Sequence, residues 1–187
     1  DNDYDSEDLS YWAQIWVGKW GGKAAVYNVE VEDDAVNRGR PFIGIEYTSF
    51  DVRYKVLELS DSNYVAVGAG YQAIDWSNQG RDIWDTSGWK VVAEAHFGLG
   101  KIVSAYGELG FYVGLDELSF DGSEFTDGVS GWDGEIGVSI KPFPFLNIRA
   151  GYRRNASDYD LLIGGKAATY NIDYNPSGFI VGVSANF

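Results

Sequence analysis

The feature that most constrains the fold is a strict alternation of apolar and polar residues that continues to the last residue of the chain. Between Phe179 and Phe187 every odd position is apolar, and the even positions carry Gly, Ser and Asn plus one Ile. Side chains of a β-strand point alternately to its two faces. The segment is therefore predicted to be a strand with one apolar face.

The same period of two is found along most of the 187-residue chain. It predicts strands in residues 11–31, 42–58, 63–75, 89–97, 103–115, 132–141 and 146–153. We interpret residues 11–31 as one long strand, because the odd phase of Ile15 and Val17 persists through Tyr27, Val29 and Val31. The sequence therefore indicates an all-β domain over residues 9–187. Residues 1–8 hold five acids and are expected to form a flexible acidic tail.

The number of strands depends on residues 42–58, where the alternation changes phase between Tyr47 and Val52. Such a slip indicates either a bulge or a turn at residues 48–50. With a bulge the chain has eight strands. With a turn there and another near Gly21 and Gly22 it has ten. We favour eight.

The connections alternate in length, with short ones near 59–63, 98–101 and 141–145 and long ones near 32–41, 76–88, 116–131 and 154–169. Short turns on one rim and long loops on the other are typical of outer-membrane β-barrels. The chain has no run of 18 apolar residues, so no transmembrane helix is predicted. It begins at Asp1 without Met, and we expect a mature, processed form.

The polar face of the predicted strands carries glycines and charges of both signs. A narrow barrel interior gives glycine a crowding role, so we assign this face to the lumen. Charges in so confined a space must pair, which predicts a ladder of salt bridges that plugs the barrel. The predicted lumen residues are Glu46, Arg53, Lys55, Lys90, Glu94, Glu108, Asp133, Glu135, Arg149 and Arg153.

Aromatic residues concentrate at the ends of the alternating runs, as in the girdles at the two membrane interfaces. The residues concerned are Trp76, Trp84, Trp89, Phe97, Phe111, Tyr112, Trp132, Tyr152, Phe179 and Phe187.

Residues 146–153 and 170–187 resemble the final strands of small OmpA/OmpX-type outer-membrane β-barrels. The resemblance implies an antiparallel up-and-down transmembrane barrel in the Gram-negative cell envelope, with both termini periplasmic. It also implies an assembly signal at Gly182, Ala185 and Phe187, read by the barrel assembly machinery. The function implied is a structural or surface-interaction role, in contact with outer-membrane lipids, lipopolysaccharide and host or surface ligands.

Composition narrows the remaining possibilities. Lys and Arg number 14 against 28 Asp and Glu, so a nucleic-acid partner is not expected. With one His and no Cys, no metal site and no cofactor are expected, and the acids of residues 116–127 are interpreted as a solvated loop, with bound divalent cations as the alternative. We expect a monomer without enzymatic activity. Two alternatives stay open: a small passive channel for ions or solutes, and a lipid A-modifying enzyme that uses His96 with Ser104.

Overall fold

The computed structural model of this chain is all-β over the residues that it describes, which are 10–32, 41–78, 81–115, 119–120, 123–124, 126–163, 166–174 and 177–187. The strands are β1 (Ser10–Val17), β2 (Trp20–Glu32), β3 (Pro41–Ser60), β4 (Asn63–Asn78), β5 (Arg81–Gly98), β6 (Val103–Leu115), β7 (Ser119–Phe120), β8 (Ser123–Glu124), β9 (Thr126–Phe143), β10 (Leu146–Ile163), β11 (Lys166–Tyr174) and β12 (Ser177–Asn186). No helix within these ranges is long and apolar enough to cross a membrane. The predicted acidic tail lies outside the described residues.

The described strands form a closed barrel whose wall has nine positions. Their order round the wall is β4, β3, β2, β1, β12, β10, β9, β6 and β5, and β5 pairs with β4 to close it. β11 continues the position of β12, because the two strands pair with successive parts of β10. β7 and β8 form a short hairpin beside β5. The prediction of an all-β barrel is confirmed.

The predicted count of eight strands is wrong because residues 11–31 form two strands rather than one. The chain reverses at Gly18 and Lys19, and Val17 pairs with Trp20. Gly18 has a φ of +58°, which a residue without a Cβ adopts at little cost. The reversal exchanges the faces, so odd residues point outwards in β1 and inwards in β2. The odd phase seemed continuous in sequence because Tyr27 and other inward residues of β2 are also apolar.

Nine strands that alternate in direction must meet at one parallel pair. Here β1 runs parallel to β12, with Ala13 beside Val183, whereas the other described pairs are antiparallel. The expectation of a purely antiparallel barrel is therefore wrong at this seam. Phe187 lies at the rim of the short turns, where its N–H donates to the Trp16 carbonyl at 2.9 Å and its carbonyl accepts from the Gly18 N–H at 3.0 Å. The position of the N-terminus stays a prediction, since residues 1–9 lie outside the described residues.

β3 contains neither the bulge nor the turn predicted at residues 48–50. Its pairing with β2 is continuous from Tyr54 to Ile43. Ile45 and Tyr47 are buried inside the barrel, so the inward face is apolar at this end of the strand. The alternation looks shifted by one residue because the inward face of β3 is apolar at this end and charged further along. The unbroken pairing of β3 with β2 also rules out the ten-strand alternative.

The strands continue into three of the four predicted long connections. β4 and β5 pair as far as Asn78 and Arg81, and β10 and β11 pair as far as Ile163 and Lys166. β7, β8 and the start of β9 occupy part of residues 116–131. The fourth connection, residues 32–41, lies largely outside the described residues. The predicted short turns are confirmed at residues 61–62, 99–102 and 144–145, so the wall is extended at the opposite rim.

The outer surface of the barrel is apolar over most of its height. Ile136 is 70% exposed, and other exposed apolar side chains of this surface include Leu109, Val138 and Ile148. In β6 the outward apolar residues run from Val103 to Val113, which spans about 25 Å along the axis at a typical strand tilt of about 40°. The height of this band is compatible with a membrane.

Most predicted girdle aromatics do lie on the outer surface. Those that are exposed are Trp89, Phe97, Phe111, Trp132, Tyr152, Phe179 and Phe187. The prediction is wrong for Trp76 and Tyr112, which are buried inside the barrel because their even positions point inwards in β4 and β6. The side chain of Trp84 is not among those described.

Candidate functional site

The candidate site is the barrel interior, where nine of the ten predicted lumen residues are buried. These are Arg53, Lys55, Lys90, Glu94, Glu108, Asp133, Glu135, Arg149 and Arg153. Glu46 is the exception, because it is exposed on the outer face between the inward residues Ile45 and Tyr47. Its side chain accepts a hydrogen bond from Thr48 Oγ1 on the same face. The inward residues of β3 have odd numbers from Ile45 to Lys55, so Glu46 is not a lumen residue.

Two interior charges were missed by the sequence analysis. Lys23 is 2% exposed and Asp51 is 1% exposed. Asp51 has the same odd parity as Arg53 in β3, so the pattern contained the signal for it. Lys23 is found only once the turn at Gly18 is recognised, since that turn places the odd residues of β2 inside.

The interior charges form a balanced set that we name the central charge cluster. Among the described residues it contains five carboxylates and five cations: Asp51, Glu94, Glu108, Asp133 and Glu135 with Lys23, Arg53, Lys90, Arg149 and Arg153. Lys55 lies apart from the cluster and pairs with Glu58 near the short turns. The members come from β2, β3, β5, β6, β9 and β10, so the cluster ties the wall together across the lumen.

Glu94 is one centre of this network. One of its oxygens accepts from Arg53 Nη1 at 2.7 Å and from Gln14 Nε2 at 2.8 Å. The other accepts from Arg149 Nη1 at 2.8 Å and from the Tyr64 hydroxyl at 2.7 Å. Four donors from β1, β3, β4 and β10 thus converge on one carboxylate of β5.

Glu135 is the second centre. It accepts from the Tyr106 hydroxyl at 2.6 Å, from Trp12 Nε1 at 3.1 Å and from Lys23 Nζ at 3.4 Å. Lys23 also donates to Glu108 at 2.8 Å. The Lys23 ammonium lies 4.5 Å from the centre of the Trp12 ring, within range of a cation–π interaction.

The remaining charges complete the cluster by shared partners. Arg53 pairs with Asp51 in addition to Glu94 and Glu108. Arg153 Nη2 lies 3.1 Å from Asp133, and Lys90 lies 3.9 Å from both Asp51 and Asp133. Buried charges that share partners in this way offset the cost of leaving water, and removing one of them leaves others uncompensated.

An apolar cluster closes the lumen on the side away from the short turns. Its buried members are Tyr27, Val29, Ile45, Tyr47, Ile74, Trp76, Tyr112 and Leu115. Trp76 and Tyr112 therefore fill the interior rather than the girdle. The lumen is charged in its middle and apolar towards this rim.

The short-turn end is also filled. Trp16, Tyr64 and Ala66 form a buried cluster, and the Lys55 ammonium lies 5.1 Å from the ring centres of Trp16 and Tyr64. His96 stacks on Tyr64 with ring centres 5.2 Å apart. Buried side chains thus occupy the described interior from the short-turn end to the apolar cluster.

The structure does not join His96 to Ser104. Both side chains are buried, but Ser104 pairs with Gly98 and His96 pairs with Tyr106 across the hairpin. The His96 Nδ1 atom lies 3.2 Å from the Ser62 carbonyl, and its Nε2 has no hydrogen-bond partner. No hydrogen bond between these two described residues activates the serine. The stacked ring of His96 packs the lumen instead.

Interior glycines make room for large side chains. A Cβ at Gly182 would overlap the Trp12 indole, and one at Gly137 would lie 2.8 Å from the Tyr106 ring. Trp12 and Tyr106 are the two aromatic donors to Glu135, so these glycines allow the network to form. The predicted crowding role of glycine is confirmed at these positions.

Of the predicted assembly-signal residues, Gly182 and Ala185 lie on β12, between β10 and β1, and Phe187 directly follows that strand. Gly182 points inwards, Ala185 is half-buried, and Phe187 is 72% exposed at the short-turn rim. Reading of these residues by the assembly machinery stays a prediction.

Within the described residues no cluster of three or more His, Asp or Glu side chains can hold a metal ion. The side chains of the acids predicted to form a solvated loop at residues 116–127 lie outside the described part. The absence of a cofactor stays a prediction.

The geometry is therefore that of a filled, charge-balanced barrel with an apolar exterior. Comparison with known proteins adds no relative: no family model, curated protein or solved structure matches this chain.

Proposed function

We propose that this chain is an integral β-barrel of the Gram-negative outer membrane with a structural or surface-interaction role. The observation that carries the proposal is the inverted distribution of side chains. Among the described residues, the five carboxylates and five cations of the central charge cluster lie inside, while residues such as Ile136, Phe179 and Val138 are exposed outside. In water such a continuous apolar exterior exceeds what soluble monomers tolerate, whereas hydrocarbon solvates it.

The filled lumen supports a structural role over transport. Solute passage requires a continuous polar path, and here Tyr47, Ile74 and Trp76 block one end of the charged region. Moving a charged member of the cluster out of the way would also break several buried pairs at once. The interior therefore acts as a brace for the wall.

Interactions with other molecules are then made by two surfaces of the wall, the apolar band and the rim away from the short turns. The apolar band contacts membrane lipids and lipopolysaccharide, and the extended strands at the rim away from the short turns present the surface for host or surface ligands. Delivery to the membrane uses the barrel assembly machinery and the signal at Gly182, Ala185 and Phe187. A single chain closes the barrel by itself, which supports a monomer.

The test is extraction and heat-modifiability. The protein is expected in the membrane fraction, to need detergent for extraction, and to migrate differently on a gel before and after boiling. The unboiled form is also expected to show the circular dichroism spectrum of a β-sheet protein. A protein that stays in solution without detergent and shows no shift would overturn the proposal.

The alternatives of a channel and a lipid A-modifying enzyme have their own measurements. A closed lumen is expected to give no stepwise conductance in planar bilayers, and Arg149→Ala is expected to leave that result unchanged. Lipid A from cells that express the protein is expected to be unaltered, and identical to that from cells with His96→Ala. Conductance or altered lipid A would favour the corresponding alternative.

A further inference from the structure

We propose that a groove on the outer face of β5, β6, β9 and β10 binds one anionic lipid of the leaflet away from the short turns, with an acyl chain in the groove and its phosphate at Arg154. The proposal rests on the membrane function proposed above. It concerns a single site on the lipid-facing surface, in addition to general contact with the bilayer.

The groove has a volume of about 540 Å³ and is lined almost wholly by apolar surface. Its floor is made by small residues that are adjacent in the sheet. Ala95 pairs with Gly107, and Ala93 lies two residues from Ala95 on the same face. Gly134 extends the floor into β9, where it pairs with Leu109. These four small residues lower the surface on both sides of Leu109, which lies between Ala93 and Gly134 and also lines the groove, so the groove arises from the sequence of the wall.

Larger side chains stand at the sides of the floor. Val65 flanks it near the short turns, Ile136 lies beside Gly107, and Trp132 stands beside Gly134. From Val65 to Gly134 the groove crosses three strand spacings of about 4.8 Å and two residues of about 3.3 Å, which is about 14 Å along the barrel axis at a tilt of about 40°. That length is close to the roughly 15 Å of one hydrocarbon leaflet. The shape suits one extended acyl chain.

Arg154 lies at the end of the groove that is further from the short turns. It pairs in the sheet with Gly134 and sits two residues beyond Tyr152, at the level of the outer aromatics. Among the described side chains it is the one outward-facing cation away from the short-turn rim, where Lys19, Lys101 and Lys141 lie. It forms no ion pair with any described residue.

Charge complementarity therefore defines the head group. An unpaired guanidinium at the membrane interface attracts a phosphate and binds it through two parallel hydrogen bonds. An acyl chain in the groove makes van der Waals contacts that lipids passing over the groove would not make. Both ends of the site favour the same molecule, an anionic lipid with its chain directed towards the short turns.

The experiment uses the full chain in a mild detergent with equimolar phosphatidylglycerol and phosphatidylcholine of identical acyl chains, followed by native mass spectrometry. We expect wild type to retain one lipid and to prefer phosphatidylglycerol by about fivefold, as one interfacial arginine contributes. Arg154→Gln is expected to keep the lipid and lose the preference. The charge control is Lys101→Gln at the opposite rim.

Substitutions that fill the groove test whether the acyl chain binds there. A Cβ at Gly107 meets no atom closer than 3.9 Å, so Gly107→Leu with Ala95→Leu occupies the groove without displacing backbone. We expect this variant to retain neither lipid, while Ala150→Leu, another exposed outward position, retains them as wild type does. If the double variant does not fold, Ala93→Leu alone serves as the second test.

Each variant is first checked for heat-modifiability, so failure of the barrel assignment is separated from failure of the lipid site. A heat-modifiable wild type that retains no lipid, or shows no preference that depends on Arg154, would overturn the site and leave the proposed function standing. Equal lipid loss in Ala150→Leu would also overturn it.

Discussion

At the scale of single residues, stability depends on how many partners each interior group has. Glu94 receives four donors and Glu135 receives three close ones, whereas Glu46 has one contact on the exposed face. Glutamate side chains in the same barrel therefore contribute differently to the free energy of unfolding. Burial and partner number, rather than residue type, decide which charge matters.

Glu94→Gln is expected to destabilise the barrel by about 3–5 kcal/mol, because it leaves Arg53 and Arg149 buried with a lost counter-charge. Urea unfolding followed by tryptophan fluorescence in lipid vesicles measures the change. The matched control Glu46→Gln is expected to stay within about 0.5 kcal/mol of wild type. Equal losses for the two variants would contradict the network described here.

Gly182→Ala is expected to destabilise by about 1–3 kcal/mol, since the added methyl overlaps the Trp12 ring and forces it away from Glu135. The same urea titration measures it. Gly107→Ala adds a methyl where the nearest atom is 3.9 Å away, and it is expected to change stability little. A loss in Gly107→Ala as large as that in Gly182→Ala would rule out overlap as the cause.

At the scale of elements, the turn at Gly18 decides the architecture. It divides the first alternating segment into β1 and β2, exchanges their faces and makes the strand number odd. The parallel pairing of β1 with β12 follows, because the first and last of an odd number of alternating strands run in the same direction. One two-residue reversal thus separates a nine-strand barrel from the eight-strand one expected.

Cysteine cross-linking tests the seam, and the chain has no native Cys to interfere. Ala13→Cys with Val183→Cys is expected to react with a short bifunctional thiol reagent, because the two residues are directly paired. Ala13→Cys with Phe97→Cys, on a distant strand, is the control and is expected to remain unlinked. Absence of a link in the first pair in folded protein would argue against the parallel closure.

At the scale of the whole molecule, the apolar or polar character of the outward face of the strands decides whether the barrel is more stable in a bilayer or in water. Under the membrane function proposed above, the apolar outer face lies against hydrocarbon and the charges lie in the lumen. The consequence is that a new charge on the outside is costly in a bilayer and nearly free in water.

Val138→Arg is expected to destabilise the protein in vesicles by about 2–4 kcal/mol, as lipid-facing arginine does near the bilayer midplane. Ser130→Arg, on the same face of β9 but nearer the far rim, is expected to cost no more than about 1 kcal/mol. Chemical unfolding in vesicles gives both values. Should Val138→Arg be neutral, the apolar exterior would not face hydrocarbon.

Deletion of Phe187 is expected to impair outer-membrane assembly in cells while the purified chain still folds into detergent. Under the proposed signal assignment, cellular assembly depends on recognition of the last strand, whereas folding into detergent does not. Phe143→Ala, an exposed aromatic near the same rim, is the control and is expected to assemble normally. Quantifying folded protein in membranes checks both, and normal assembly after the deletion would contradict the signal assignment.

Local pattern alone determined the all-β class, the short turns and nine of the ten lumen residues, because strand periodicity and glycine placement are properties of neighbouring residues. Glu46, Lys23 and the strand count depended on which face each segment presents, and that is ambiguous wherever both faces are apolar, as in β2 and the start of β3. Only the closed tertiary structure resolves it, since closure forces one register on every strand. The pairing of charges across the lumen likewise came from the fold, because residues as far apart in sequence as Gln14 and Glu94 meet only when the wall is closed.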